Sequence, residues 1–108
     1  MNFDLTPEQK QIQRRAREFA KTEVSPIARE ADEKRVFPLH LVRRMAELGF
    51  LGGPLERDYG GTGMSHLSLA LVYEELGRAD SSVRGFLSVH TSLVSLCIRD
   101  WGTEEQRR

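Results

Sequence analysis

Cysteine is almost absent from the 108-residue chain: a single residue, Cys97, excludes an internal disulfide and fits a reducing compartment. Net charge is absent too, because sixteen Lys and Arg balance sixteen Asp and Glu. A nucleic-acid binder would show a basic excess or a basic face, so that class is set aside. No apolar run approaches the roughly 18 residues that a membrane span needs. The opening Met1-Asn2-Phe3-Asp4 lacks the basic-then-apolar profile of a signal peptide, so a cytoplasmic protein is expected. Repeats, low-complexity stretches and convincing period-two alternation are also missing, which leaves little room for a sheet. What is present, 39% hydrophobic and 30% charged residues, is the mixture of a folded globular protein. A chain of this length buries roughly two-thirds of its unfolded surface, enough for one core but not for two domains.

Helix signals fill most of the sequence. Thr6-Pro7-Glu8-Gln9 combines an N-cap, a proline suited to the first turn and a capping-box glutamine. Ile12, Ala16, Phe19, Ala20, Val24 and Ile27 then follow helical spacing, with Lys10, Gln13, Arg14, Arg17 and Lys21 opposite them. Pro26 predicts a kink or break near Ser25, with continuation to about Glu33. Pro38 opens a second helix that carries Leu41, Val42, Met45 and Leu48 and stops at Gly49. Residues 49–63 hold six glycines and a proline and predict a loop with several positive-φ positions. Its length is more than a plain connection needs. Ser65 caps a third helix, apolar nearly all round through Leu67, Leu69, Ala70, Leu71, Val72, Tyr73 and Leu76, and therefore expected to be buried. Asp80 or Ser81 caps a fourth, with Val83, Phe86, Leu87, Val89, Leu93, Val94, Leu96, Cys97 and Ile98, expected to be buried for the same reason. Thr103-Glu104-Glu105-Gln106 starts another helix only a few residues before Arg108. A helix so short is not stable alone, so residues 1–108 are expected to be the N-terminal helical part of a longer protein.

Few residues suggest chemistry by themselves. The glycine loop has no G-K-[ST] and no preceding strand, so neither nucleotide fingerprint is met, and a tight turn is its ordinary reading. His40 and His66 lie near helix starts, His90 reads as a hydrogen-bonded core residue, and Cys97 as a small core hydrophobe. No set of His, Cys, Asp and Glu has metal spacing. Glu74 and Glu75 point about 100° apart and do not form a catalytic pair. Arg84 is the exception. A guanidinium among Val83, Phe86 and Leu87 needs an anion or a route to water. It is either a solvated edge, a salt bridge to Asp80, or the head of a polar stripe with Ser88, Thr91, Ser92 and Ser95 that lines a cavity and holds a carboxylate.

In order along the chain, several short motifs resemble the N-terminal helical domain of the flavin-dependent acyl-CoA dehydrogenases. They are Leu5-Thr6-Pro7-Glu8-Gln9, Val24-Ser25-Pro26-Ile27-Ala28, Phe37-Pro38, Glu47-Leu48-Gly49-Phe50, Tyr59-Gly60-Gly61-Thr62-Gly63, Glu74-Glu75-Leu76 and Gly102-Thr103-Glu104-Glu105-Gln106. The resemblance covers the whole chain. It implies an all-α, up-and-down bundle of about five helices over residues 1–108, with the middle β-domain and C-terminal helical domain lying outside it. It also implies FAD, an acyl-CoA substrate, an electron-transfer flavoprotein as electron acceptor and a homotetramer. The implied reaction is α,β-dehydrogenation of the thioester: a glutamate removes the α-proton and the β-hydride goes to the flavin. That glutamate belongs to the C-terminal domain and most FAD contacts to the β-domain, so no catalytic residue is expected here.

Residues 75–93 are most similar to the glutaryl-CoA dehydrogenase branch. By that resemblance Arg84 binds the distal carboxylate of a dicarboxylyl-CoA, and Gly85 and Ser88 join it in the substrate pocket. Gly77, Gly85 and His90 depart from the branch, where a glutamate, a serine and a glutamine stand, so decarboxylation does not follow from the resemblance. An acyl-CoA oxidase or flavin monooxygenase would share these helices and pass electrons to oxygen. A free-standing helical interaction module is the alternative from outside the enzymes.

Overall fold

The computed structural model describes all 108 residues as five helical rods and no strand. The first rod is α1 (Pro7–Phe19), a π turn at Ala20–Val24, and α2 (Ser25–Lys34). α3 (Leu39–Glu47) follows, then the glycine loop with one 3-10 turn at Arg57–Tyr59, then α4 (His66–Ala79). The fourth rod is α5 (Ser81–Ser88), a second π turn at Val89–Ser95, and α6 (Leu96–Trp101); α7 (Glu104–Arg107) closes the chain.

The helix ends form where local chemistry places them. Thr6 and Gln9 make a reciprocal capping box at α1, and Thr103 and Gln106 make another at α7. Ser65 caps α4 by accepting from the Ser68 N–H, and Asp80 caps α5 by accepting from the Ser82 N–H. α3 ends at Gly49, where φ is +80°. The Gly49 N–H donates to the Ala46 carbonyl and the Phe50 N–H to the Met45 carbonyl, the paired bonds of a Schellman stop.

Pro26 does not break the first rod. Ser25 keeps helical backbone angles (φ −54°, ψ −42°), and the irregularity falls one turn earlier, where the Ser25 N–H reaches back five residues to the Ala20 carbonyl. A proline ring collides with the carbonyl four residues before it and offers no N–H. A widened turn accommodates both while the helix continues.

The core joins α1, α3, α4 and α5 through Ala16, Phe19, Val24, Leu41, Met45, Phe50, Val72, Leu76, Val83 and Leu87. α4 is the central rod, packed on α1 at one side and α5 at the other. Contrary to the expectation of burial on every side, Leu67 is half exposed, whereas Glu75 is buried at 3% exposure. Arg17 from α1 donates two hydrogen bonds to one Glu75 carboxylate oxygen, at 2.8 and 3.2 Å. The ion pair makes the burial of Glu75 tolerable; the bond to Glu75 raises the Arg17 pKa above its ordinary value.

The fourth rod also differs from expectation. Val83 and Leu87 are buried, but Val89, Leu93, Val94, Ile98 and Trp101 are exposed, Leu93 at 66% and Trp101 at 86%. Thr91, four positions after the buried Leu87, is the residue of the π turn that is buried, while Val89, Leu93 and Val94 within the same turn are exposed. Cys97 and His90 follow them to the surface, so neither is a core residue; His90 instead stacks on Phe86, with ring centroids 6.3 Å apart.

The glycine loop is folded on itself. The Gly61 N–H donates to the Glu56 carbonyl, the Gly63 N–H to Leu55 and the Met64 N–H to Gly53. At Gly61 a side chain is impossible without rearrangement, because a Cβ would sit 2.0 Å from the Leu55 carbonyl oxygen. Gly60 and Gly63 adopt positive φ, as the loop's composition predicts.

Candidate functional site

Arg84, Gly85 and Ser88 stand together on α5, all half-buried. The Asp80 carboxylate is occupied with the Ser82 N–H at 2.9 Å, and no acidic group lies within salt-bridge distance of Arg84. The salt-bridge reading of Arg84 is therefore not realised. Its one hydrogen bond is a long one, 3.4 Å, donated to Ser88 Oγ. Ser88 in turn donates to the Gly85 carbonyl at 3.0 Å. Gly85 faces open space: a Cβ there would meet nothing within 4 Å. Four of the five guanidinium N–H groups thus have no acceptor among residues 1–108, and the space beside Gly85 is open.

The polar stripe expected below Arg84 does not form as a single wall. Thr91 is buried and donates to the Leu51 carbonyl at 2.8 Å, tying the π turn to the glycine loop. Ser95 donates to the His90 carbonyl five residues back, at 2.8 Å. Ser92 turns to α4, where its Oγ lies 2.7 Å from the Tyr73 hydroxyl. Tyr73 is the residue the sequence pattern hid, grouped there with the apolar side chains of α4. Its signal was available in kind, since a half-buried phenol needs a hydrogen-bond partner. Burial raises the Tyr73 pKa above the ordinary phenol value, against smaller opposing effects of the Ser92 bond and the Arg84 charge.

The remaining candidates lie apart. His40, His66 and His90 are exposed and separate, and no group of three His, Cys, Asp or Glu is placed to hold a metal. The glycine-loop N–H groups at Gly53, Leu55, Gly61, Gly63 and Met64 are spent on backbone carbonyls within residues 50–56. That loop is no cradle for a flavin phosphate. The Tyr59 hydroxyl donates to the Glu104 carboxylate at 2.7 Å, which pins the loop to α7. No helix is long and apolar enough to cross a membrane.

An all-helical unit of this architecture, with a cation displayed on one face, matches a known class over nearly its full length. The family described as "Acyl-CoA dehydrogenase, N-terminal domain" matches residues 6–108, and the chain belongs to that family. Among curated relatives, the short-chain-specific acyl-CoA dehydrogenase of Clostridium acetobutylicum is 43% identical over 108 residues, which is 100% of this chain and 28% of that protein. The mitochondrial isobutyryl-CoA dehydrogenase of Dictyostelium discoideum is 41% identical, covering 96% of this chain and 25% of its own length. The 3-sulfinopropanoyl-CoA desulfinase of Variovorax paradoxus is 34% identical, covering 96% and 26%. The chain thus spans about a quarter of the length of the curated relatives it matches.

Solved structures agree on the fold. Butyryl-CoA dehydrogenase from Megasphaera elsdenii superposes with a TM-score of 0.90 at 34% identity, covering 99% of this chain and 29% of that one. Glutaryl-CoA dehydrogenase in complex with glutaryl-CoA gives 0.94 at 32%, covering 99% and 28%. A chain from work on the electron transferring flavoprotein of Acidaminococcus fermentans gives 0.94 at 37%, again covering 99% and 28%.

Proposed function

We propose that residues 1–108 are the N-terminal helical domain of an acyl-CoA dehydrogenase that takes short acyl-CoA thioesters bearing a distal anionic group. The observation that carries this reading is Arg84, half-buried, without an acidic partner, and beside the open space at Gly85. Gly85 and Ser88 complete the pocket wall: the glycine leaves room for the acyl chain, and the serine hydroxyl steadies the guanidinium. Relatives acting on short and branched acyl groups support the small size of the substrate. The relative named for 3-sulfinopropanoyl-CoA and the neighbour bound to glutaryl-CoA both handle a short acyl chain with an anionic end, which supports the charge.

The reaction of the full-length protein is α,β-dehydrogenation, with FAD as the redox group and an electron-transfer flavoprotein as acceptor, in a homotetramer. The neighbour from work on an electron transferring flavoprotein supports that acceptor. The resemblance places most flavin contacts in segments other than these, and the glycine-loop N–H groups at Gly53, Leu55, Gly61, Gly63 and Met64 are already bonded to backbone carbonyls. The contribution of this chain's own residues is to bind the acyl end and fix its direction. A panel of butyryl-, isobutyryl-, hexanoyl-, glutaryl- and 3-sulfinopropanoyl-CoA, assayed with the full-length enzyme, tests the reading. Higher kcat/KM for the anionic members than for hexanoyl-CoA is expected; the reverse order removes the role given to Arg84.

A further inference from the structure

A second donor, Tyr73, stands on the neighbouring helix close enough for the Arg84 charge to act on it. Tyr73 and Gly77 lie four positions apart on α4 and so share a face. A Cβ on Gly77 would stand 3.6 Å from Arg84 Cγ, so that face abuts the stem of Arg84. One turn earlier on α4, the Tyr73 hydroxyl reaches Ser92 Oγ at 2.7 Å, on the π turn that follows α5.

The hydrogen-bond inventory of this corner is one-sided. Arg84 has five N–H groups and one weakly placed acceptor, Ser88 Oγ. The nearby acids are engaged elsewhere: Asp80 with the Ser82 N–H, Glu74 with Arg78, and Glu75 with Arg17. Tyr73 and Ser92 bring two O–H hydrogens and share one bond, so one hydrogen remains to be donated. Donors are in surplus, and no acidic group among residues 1–108 takes them up. A phenol is protonated at neutral pH, and burial moves Tyr73 further in that direction, so its hydroxyl has a hydrogen to donate.

We infer that Tyr73 is a specificity-determining residue of the site, its hydroxyl held by Ser92 and donating to the same distal anion that Arg84 binds. The inference rests on the distal-anion reading above and adds to it a neutral donor from a different helix. A guanidinium alone fixes an anion in its own plane. A second donor from α4 fixes the direction from which the anion enters, and favours groups with at least two acceptor oxygens, such as a carboxylate or a sulfinate.

The experiment uses the full-length, flavin-loaded enzyme and the ratio of kcat/KM for glutaryl-CoA to that for butyryl-CoA. If glutaryl-CoA binds without turnover, its inhibition constant against butyryl-CoA serves instead. Tyr73→Phe keeps the ring and its packing and is expected to lower the ratio about tenfold, the scale of one lost hydrogen bond to a charged group. If Arg84→Met lowers the ratio while Tyr73→Phe leaves it within twofold, the inference is overturned and the distal-anion reading stands. If neither variant moves it, or if glutaryl-CoA neither reacts nor competes, both fall. Should Tyr73→Phe lose its flavin, Ser92→Ala decides: a fall of about threefold or more supports the inference, and an unchanged ratio overturns it.

Discussion

Thr91 and Leu51 are forty positions apart, yet the threonine hydroxyl donates to the Leu51 carbonyl at 2.8 Å from a fully buried position. No backbone N–H reaches that carbonyl, so the side chain of the π turn satisfies the glycine loop. The one bond joins the second π turn to the glycine loop. The next residue, Ser92, faces Tyr73 instead, with Oγ 2.7 Å from its hydroxyl.

Thr91→Val should therefore cost about 1–3 kcal/mol, because the shape is kept while a buried carbonyl is stranded. Thr91→Ser, which keeps the hydroxyl, should cost less. Urea unfolding of the wild type and both variants gives the comparison; equal midpoints for valine and wild type would mean that water reaches Leu51.

Leu76 and Leu67 lie on the same helix with opposite surroundings, the first fully buried and the second 51% exposed. Leu76→Ala should lose roughly 2–5 kcal/mol through lost burial and a cavity between α1 and α5. Leu67→Ala should change the unfolding midpoint little. Equal losses at the two positions would contradict the orientation given to α4.

The pairing of Arg44 with Glu23, 2.8 Å apart, predicts a pH dependence. The hydrogen bond from Arg44, and its charge, hold the Glu23 carboxyl below the ordinary glutamate pKa, against a smaller opposing effect of burial. A carboxyl whose folded pKa is lowered contributes stability above its unfolded pKa, and that contribution is lost as pH falls through the folded value. Asp100, bonded by Arg99, and Glu104, bonded by Tyr59 and Arg108, act in the same direction. Stability should accordingly decline on acidification below about pH 4.3, the ordinary glutamate value. In Arg44→Gln the Glu23 carboxyl should titrate closer to that value, as followed by carboxyl NMR.

The parts of this fold that are legible in the sequence are those fixed within a few residues. The capping boxes at Thr6 and Thr103, the caps at Ser65 and Asp80, and the stop at Gly49 each depend on neighbours three or four positions away. The π turns are not legible, because a one-residue change of hydrogen-bond register leaves composition and apolar spacing untouched. Nor are the outward Leu93, Val94 and Cys97, the inward Thr91, and the scattering of the polar stripe. An all-round apolar helix likewise does not say which of its faces meets a partner. The Arg17–Glu75 and Tyr73–Ser92 contacts join separate rods, so neither has a local signature. Arg84 stands out in the sequence because a cation among apolar neighbours poses its own problem of solvation, whereas Gly85 joins it only through the family resemblance.

The most direct test of the account is the effect of Arg84→Met on substrate choice in the full-length enzyme. Methionine preserves volume, so the change removes the charge without leaving a cavity. The ratio of kcat/KM for glutaryl-CoA to that for hexanoyl-CoA should fall about 30-fold or more, the scale of a lost charge-assisted pair in a dry pocket. Arg84→Lys should recover only part of it, because a point charge does not reproduce the two-pronged guanidinium. A ratio unchanged in Arg84→Met would contradict the account and leave Arg84 as a solvated helix-edge residue.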